Sequence, residues 1–200
     1  MDDVLNNFLH RDPTEVDPKV GDILLSEPLM AEPFFSRAAI LILDREGNGG
    51  HLGLTLNREL DATLADAFTD WKNAERLPLF CGGPVEPDRL FMLHRLGDEV
   101  DSSAEVLPGL YAGADIEKVR EYIESGKPTD GLIRFFVGYS GWGQGQLTSE
   151  IMRNSWAVLR NPDPTDILTG AEDAYWRRDV KQLGPDFRSW LVVPQHPQMN

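Results

Sequence analysis

One ten-residue segment combines glycines with large aromatic side chains between a predicted strand and a predicted helix. It reads Gly138-Tyr139-Ser140-Gly141-Trp142-Gly143-Gln144-Gly145-Gln146-Leu147. A serine-nucleophile turn would need glycine at the fifth position of the segment, where Trp142 stands instead. A phosphate-binding loop would use the free amides at the start of the helix, but the segment contains no Lys or Arg.

The same segment permits two further interpretations. Tyr139 and Trp142 would be the walls of a pocket for a small apolar or peptide ligand. Alternatively, the glycines form a tight strand-to-helix turn, because glycine adopts positive φ without strain. We favour the structural turn, and we retain Gly138, Tyr139, Ser140 and Trp142 as candidate pocket residues.

Five polar residues complete the candidate binding pocket. Gln146 and Glu150 lie four residues apart and would project from one face of the predicted helix. Asn57 and Arg58 end a predicted strand, where Arg58 would clamp an anion or form an ordinary surface ion pair. His94 also closes a strand and would be a general base, although a hydrogen-bonded structural histidine is the more common case.

The remaining reactive residue types give weaker signals. Cys81 has no neighbouring cation in the sequence that would activate it, so we expect an inert thiol. The four histidines do not show the spacing of zinc ligands. Residues 161–172 place oxygen-bearing side chains at calcium-loop positions, but Asp166 stands where glycine is needed. We therefore predict no metal, no cofactor and no catalytic residue.

Predicted strands and helices alternate irregularly along the chain. Apolar and alternating runs predict strands at 23–25, 37–43, 51–57, 79–81, 89–95, 132–137, 155–159 and 187–193. Helices are predicted at 61–68, 115–125, 146–154 and 171–183, with Asp115 starting the second and Gly126 ending it. Hairpin-like strand pairs with interspersed helices are typical of an α+β fold with a mixed β-sheet.

The chain is predicted to form one domain with two short extensions. Residues 1–20 combine an amphipathic helix at residues 2–10 with an acidic linker that contains two prolines. Residues 21–193 carry the dense strand and helix signals of a single domain. We expect residues 194–200 to be a loose tail.

Composition and charge exclude several classes of function. The chain has 200 residues, with 19 Lys and Arg against 33 Asp and Glu, which gives a net charge of −14. Such an acidic chain is not expected to bind nucleic acid directly. The longest fully apolar run, residues 38–43, is too short to span a membrane. Together with the absence of a secretory signal and the single cysteine, this favours a cytoplasmic protein that does not bind membranes.

Several separate motifs resemble one protein family in their order. Residues 138–151 resemble the signature of the YqgE/AlgH family, and Gly53-Leu54-Thr55-Leu56-Asn57-Arg58 resembles its glycine-to-asparagine strand. Similar motifs recur at residues 23–30, 33–37, 82–85, 93–94, 155–156, 166–168 and at Trp176. The resemblance implies a mixed sheet with a small barrel-like portion surrounded by helices. Some members carry a regulatory label linked to alginate production, which implies no particular chemistry.

Three functional hypotheses remain open. The first is a binding or adaptor protein that acts through an unidentified protein or small-molecule partner at a surface lined by Asn57, His94, Tyr139 and Trp142. The second is a hydrolase or transferase that acts on a small anionic substrate at the glycine loop. There His94 would be the base, and the amides of residues 141–145 would hold an oxyanion. The third, a transcriptional regulator, rests on the family label, and the charge argues against direct DNA binding.

Overall fold

The structure, a computed structural model, describes residues 17–45 and 49–194. Within these ranges ten strands occur, namely β1 (Ile23–Ser26), β2 (Ala39–Arg45), β3 (His51–Thr55), β4 (Glu59–Thr63), β5 (Pro78–Cys81), β6 (Val85–His94), β7 (Ala104–Leu107), β8 (Leu110–Ala112), β9 (Ile133–Trp142) and β10 (Trp156–Leu159). The α-helices in the same ranges are α1 (Leu64–Ala67), α2 (Ile116–Glu124), α3 (Gln146–Met152), α4 (Glu172–Gln182) and α5 (Arg188–Val192). Short 3₁₀ turns lie at Pro33–Phe35, Ala74–Arg76, Gly97–Val100 and Pro185–Phe187.

The strands form one mixed sheet. Its main order is β10-β1-β2-β3-β9-β6-β8-β7, and β5 pairs with β4 and β9 beside this path. The β5–β9 pair is parallel, whereas the other described pairs are antiparallel. The sheet curls into a half-barrel with helices around it, so the predicted α+β fold with a barrel-like portion is confirmed.

Strand β9 organises the sheet because it changes partner along its length. Its first part pairs with β5 and β6, and residues 140–142 pair with β3. At the change, a Cβ on Gly138 would lie 2.3 Å from the Gly83 carbonyl oxygen, and Gly138 has a φ of +69°. A Cβ on Gly83 would lie 2.0 Å from the carbonyl carbon of Tyr139. The glycines of both motifs therefore permit two backbones to cross at short distance.

Three clusters of buried side chains hold the helices on the sheet. The first packs α4 and α5, where the rings of Trp176 and Trp190 stack with centroids 6.4 Å apart. The second buries α1 and α2, with Val119 on the inner face of α2. The third packs Leu147 of α3 against Trp142 at the end of β9. The third cluster forms the floor under the candidate site.

Most predicted elements are confirmed with shifted ends. The hairpin of β2 and β3 forms, and Asp115 caps α2 by accepting hydrogen bonds from the first helical amides. The predicted glycine turn is wrong over most of its length, because β9 continues to Trp142 and only residues 143–145 lead into α3.

Two further predictions of secondary structure are wrong. The expected strand at 187–193 is the helix α5, whose Trp190 is buried against Trp176. The expected helix at 61–68 is shorter because β4 extends to Thr63, so the helix occupies only Leu64–Ala67.

The predicted helix at 2–10 and residues 195–200 of the tail lie outside the described residues. No helix in the described ranges is long and apolar enough to cross a membrane.

Candidate functional site

One candidate site is a cleft of about 310 Å³ between α3, the end of β9 and the loop after β1. We call it the indole cleft, because two tryptophans form its walls. It is lined by Met30, Glu32, Phe35, Gly141, Trp142, Gln146, Glu150, Arg153, Ser155 and Trp156. The rings of Trp142 and Trp156 are nearly perpendicular, with centroids 6.0 Å apart, and Phe35 meets Trp156 edge to face at 5.6 Å.

The carboxylate of Glu150 fixes these walls. Its Oε2 accepts hydrogen bonds from the indole Nε1 of Trp142 at 3.0 Å and of Trp156 at 2.8 Å. Its Oε1 accepts a third hydrogen bond from Gln146 Nε2 at 2.9 Å. Hydrogen bonds to a charged acceptor are stronger than neutral ones, so both indoles are held in one orientation before any ligand arrives.

The local sequence explains how these side chains meet. Strand β9 ends at Trp142, and Gly145 with a φ of +73° turns the chain into α3. The amide of Gly143 donates to Gln146 Oε1 at 3.0 Å, which ties the turn to the first residue of the helix. Glu150 follows Gln146 by four residues and shares its face. After α3 the chain returns as β10, which begins with Trp156.

Tyr139 and Ser140 do not line the cleft. Successive residues of a strand point to opposite faces, and Tyr139 packs on Phe91 on the face opposite to Trp142. Ser140 is fully buried, and its Oγ lies 3.2 Å from the Gly82 carbonyl oxygen and 3.3 Å from Thr55 Oγ1. No base contacts this hydroxyl in the described part of the chain, so the structure gives no support for a serine nucleophile.

Asn57 and Arg58 hold the chain together away from the cleft. The buried Asn57 amide donates to the carbonyls of Arg37 and Glu172 at 3.0 Å each and accepts from the amide of Ala39 at 3.0 Å. Arg58 donates to backbone carbonyls of the loop after β1 and lies 3.7 Å from Glu172. Burial lowers the pKa of the Arg58 guanidinium, against the opposing effect of the Glu172 charge. Neither side chain is placed to bind a ligand with Trp142.

His94 lies far from the glycine segment. It pairs with Ile133 at the start of β9, whereas Trp142 ends that strand. Nine residues of β9, each rising up to about 3.3 Å, separate the partner of His94 from Trp142, and His94 does not line the indole cleft. His94 Nε2 lies 3.1 Å from the Gly113 carbonyl oxygen, and Nδ1 accepts from the amide of Leu96 at 3.3 Å. Burial lowers the pKa of His94. The predicted common pocket is therefore not formed, and His94 is not placed as its base.

A second cleft of about 440 Å³ lies beside Arg134. The guanidinium of Arg134 already donates to the carbonyls of Leu56, Leu168 and Gly170 and lies 4.0 Å from the centroid of the Phe80 ring. These contacts assign it to the fold rather than to a ligand.

Metal and calcium chemistry also lack a site in the described residues. No group of three or more His, Cys, Asp or Glu side chains is placed there to hold a metal ion. In the proline-rich segment, Asp163 accepts hydrogen bonds from the amide and hydroxyl of Thr165 at 2.8 and 2.7 Å. This is the turn that the sequence favoured over a calcium loop.

Sequence reasoning missed seven of the ten residues that line the indole cleft. Trp142, Gln146 and Glu150 were candidates, and the structure brings them together. The lining residues that were not candidates are Met30, Glu32, Phe35, Gly141, Arg153, Ser155 and Trp156. The only sequence signal for Trp156 and Phe35 was their position in motifs that resemble the family, which says nothing of contact in space.

Comparisons with known proteins agree with this fold. A family model described as AlgH-like matches residues 23–188. A UPF0301 protein of Parabacteroides distasonis is 37% identical over 187 residues, which is 93% of this chain and 93% of that protein. A UPF0301 protein of Bacteroides thetaiotaomicron is 34% identical over 92% of each chain.

Two solved structures are similar as well. The solution structure of the AlgH protein from Pseudomonas aeruginosa has a TM-score of 0.67 and 25% identity, covering 90% of this chain and 98% of its own. A crystal structure of a Corynebacterium diphtheriae protein has a TM-score of 0.72 at 20% identity, covering 90% of this chain and 95% of its own, and supports the fold alone. On the match of the family model and the identity with these relatives, the chain belongs to the AlgH-like family.

Proposed function

We propose that the protein is a cytoplasmic binding or adaptor protein, and that its indole cleft holds an aliphatic side chain presented by a partner protein. The observation that carries this proposal is a pair of indole rings held by one carboxylate, with Phe35 against one of them, in a cleft of about 310 Å³. Because no lining residue is a nucleophile hydrogen-bonded to a base in the described part of the chain, binding is the function that the chemistry of the cleft supports.

The size of the cleft favours a side chain over a cofactor. Sites for small molecules usually occupy about 300–1,000 Å³, so this cleft lies at the lower limit. Burying one aliphatic side chain contributes about 1.5–3 kcal/mol. The walls are already oriented by Glu150, so little conformational entropy is lost when a ligand binds.

Under this proposal, a regulatory role does not require direct contact with DNA. A net charge of −14 repels the phosphate backbone. A regulatory effect of this protein would therefore pass through its partner, which enters the indole cleft.

The test is a thermal-shift screen of short peptides that differ in one central aliphatic or aromatic residue. A peptide present at its Kd adds about 0.4 kcal/mol, which raises the unfolding midpoint by about 1 °C. The screen uses wild type, Phe35→Ala, which removes a half-buried wall, and Trp142→Ala. Met152→Ala is the matched control, because Met152 lies on α3, is 42% exposed and does not line the cleft.

We expect aliphatic peptides to stabilise wild type and Met152→Ala, and to lose this effect in both cleft variants. Trp142→Ala removes a buried side chain at a cost of about 3–5 kcal/mol, so Phe35→Ala decides the outcome if that variant unfolds. Stabilisation that survives in Phe35→Ala would place the binding site elsewhere and refute the proposal.

A further inference from the structure

We propose that the side chain bound in the indole cleft is a lysine, and that its ammonium group is recognised by Glu150 and the surrounding rings. This inference rests on the proposed function and adds the chemistry of the anchor. It assigns the partner a basic docking segment.

The described hydrogen-bond donors of Glu150 do not neutralise its charge. Its three hydrogen-bond donors are indole and amide N–H groups, which carry no net charge. Among the described ion pairs, none involves Glu150, so no Lys or Arg nitrogen of that part of the chain lies within 4.0 Å of its carboxylate. A half-buried carboxylate without an ion-pair partner attracts a cation more strongly than one in open water.

The aromatic rings of the cleft add to this attraction. Ring faces attract cations, and cages of aromatic side chains are used to bind ammonium groups. Elsewhere in the fold such faces are covered by the protein's own cations, for example Arg37 over Trp176 at 5.0 Å and Arg134 over Phe80 at 4.0 Å. In the described ranges, no such contact covers Phe35, Trp142 or Trp156.

The geometry of Glu150 favours lysine over arginine. A carboxylate has about four lone-pair positions, and three are occupied by the two indoles and Gln146. Arginine binds best when both carboxylate oxygens accept in parallel, which this arrangement does not offer. Lysine carries a compact point charge on an aliphatic stem, so one remaining acceptor and apolar walls suit it.

The charges at the rim are mixed, and the charge of the whole chain supports a basic partner. Glu32 adds a second negative charge to the lining, and Arg153 adds a positive charge. The guanidinium of Arg153 donates to Ser149 Oγ at 3.1 Å. The net charge of −14 draws positively charged segments towards the protein.

The test compares three peptides, Gly-Ser-X-Ser-Gly with blocked ends, in which X is lysine, norleucine or arginine. Norleucine has the aliphatic stem of lysine without the ammonium group, so it separates the charge from the burial of the stem. Affinity is measured by tryptophan fluorescence titration into the millimolar range with wild type, Glu150→Gln and Glu32→Gln. Butylammonium is included as a free amine.

We expect wild type to bind the lysine peptide about tenfold more tightly than the norleucine peptide, a difference of about 1.4 kcal/mol. Glu150→Gln should abolish this preference, so that the lysine and norleucine peptides bind with equal affinity, and circular dichroism checks that the variant is folded. Glu32→Gln should retain most of the preference, because Glu32 is exposed at the rim. Butylammonium should compete with the lysine peptide but not bind more tightly than it.

Four results would overturn the inference. Equal affinity for lysine and norleucine would leave the aliphatic anchor of the proposed function intact and remove the role of the charge. An unchanged lysine preference in Glu150→Gln would exclude Glu150 as the acceptor. If the arginine peptide or butylammonium bound more tightly than the lysine peptide, a lysine side chain would be excluded as the anchor. Binding of none of the peptides would refute the proposed function together with this inference.

Discussion

Replacing Gly138 with alanine tests whether the glycine motif serves the fold. The new Cβ would lie 2.3 Å from the Gly83 carbonyl oxygen, a backbone atom that cannot rotate away. Overpacking of this kind costs about 1–3 kcal/mol. The φ of +69° adds about 1–2 kcal/mol for any residue with a Cβ. We therefore expect Gly138→Ala to lower the free energy of unfolding by about 2–5 kcal/mol.

The matched control is Gly145→Ala in the same motif. Gly145 has a φ of +73°, but a Cβ there would have no atom within 4 Å. Gly145→Ala should therefore lower the free energy of unfolding only by the backbone contribution of about 1–2 kcal/mol. Urea unfolding followed by circular dichroism measures both variants. If both variants lost the same free energy of unfolding, the close approach to Gly83 would not be the reason for glycine at position 138, and the prediction would be contradicted.

Two further predictions concern buried polar side chains. Asn57→Ala should lower the free energy of unfolding by about 3 kcal/mol, because three buried backbone groups lose their partner; a loss below about 1 kcal/mol in urea unfolding would contradict this. Burial raises the pKa of Asp179 in spite of its hydrogen bond with Arg178. The folded state therefore binds the carboxyl proton of Asp179 more tightly than the unfolded state does. As a result, the free energy of unfolding falls as the pH rises above the ordinary aspartate pKa of about 3.9. Asp179→Asn should thus unfold at a higher temperature than wild type at pH 7, and the difference should shrink towards pH 4 in calorimetry; a variant less stable than wild type at pH 7 would mean that the ion pair with Arg178 outweighs burial.

The elements that were predicted correctly carry their signals locally. Asp115 and Gly126 mark the two ends of α2, and Val119 and Ile123 mark its buried face. The β2–β3 hairpin follows from alternation of apolar residues around a glycine turn. Such signals lie within one element, so a single sequence is enough to find them.

The elements that were predicted wrongly depend on distant contacts. A short apolar run such as 187–193 is compatible with a strand or a helix, and the stacking of Trp190 on Trp176 accompanies the helix. The extension of β9 through Gly138 depends on Gly83, which lies far away in the sequence. Sequence spacing alone does not reveal that two glycine motifs cross.

In the candidate site, too, only the contacts between residues close in the sequence could be predicted. Gln146 and Glu150 were grouped correctly because their helical spacing is local. Trp156 joins them only because β10 pairs with β1 and returns beside α3. His94 was grouped with Trp142, although His94 lies in β6 beside the first residue of β9, whereas Trp142 is the last residue of β9.

The most direct test of the indole cleft is a titration followed by the indole N–H signals in a ¹⁵N-correlated NMR spectrum. The five tryptophans should give five such signals, and Trp142→Phe assigns one of the two that lie in the cleft. Titration with the norleucine peptide should shift the signals of Trp142 and Trp156 and leave those of Trp71, Trp176 and Trp190 in place. Shifts confined to the last three tryptophans, or no shift at all, would contradict the assignment of the cleft as the binding site.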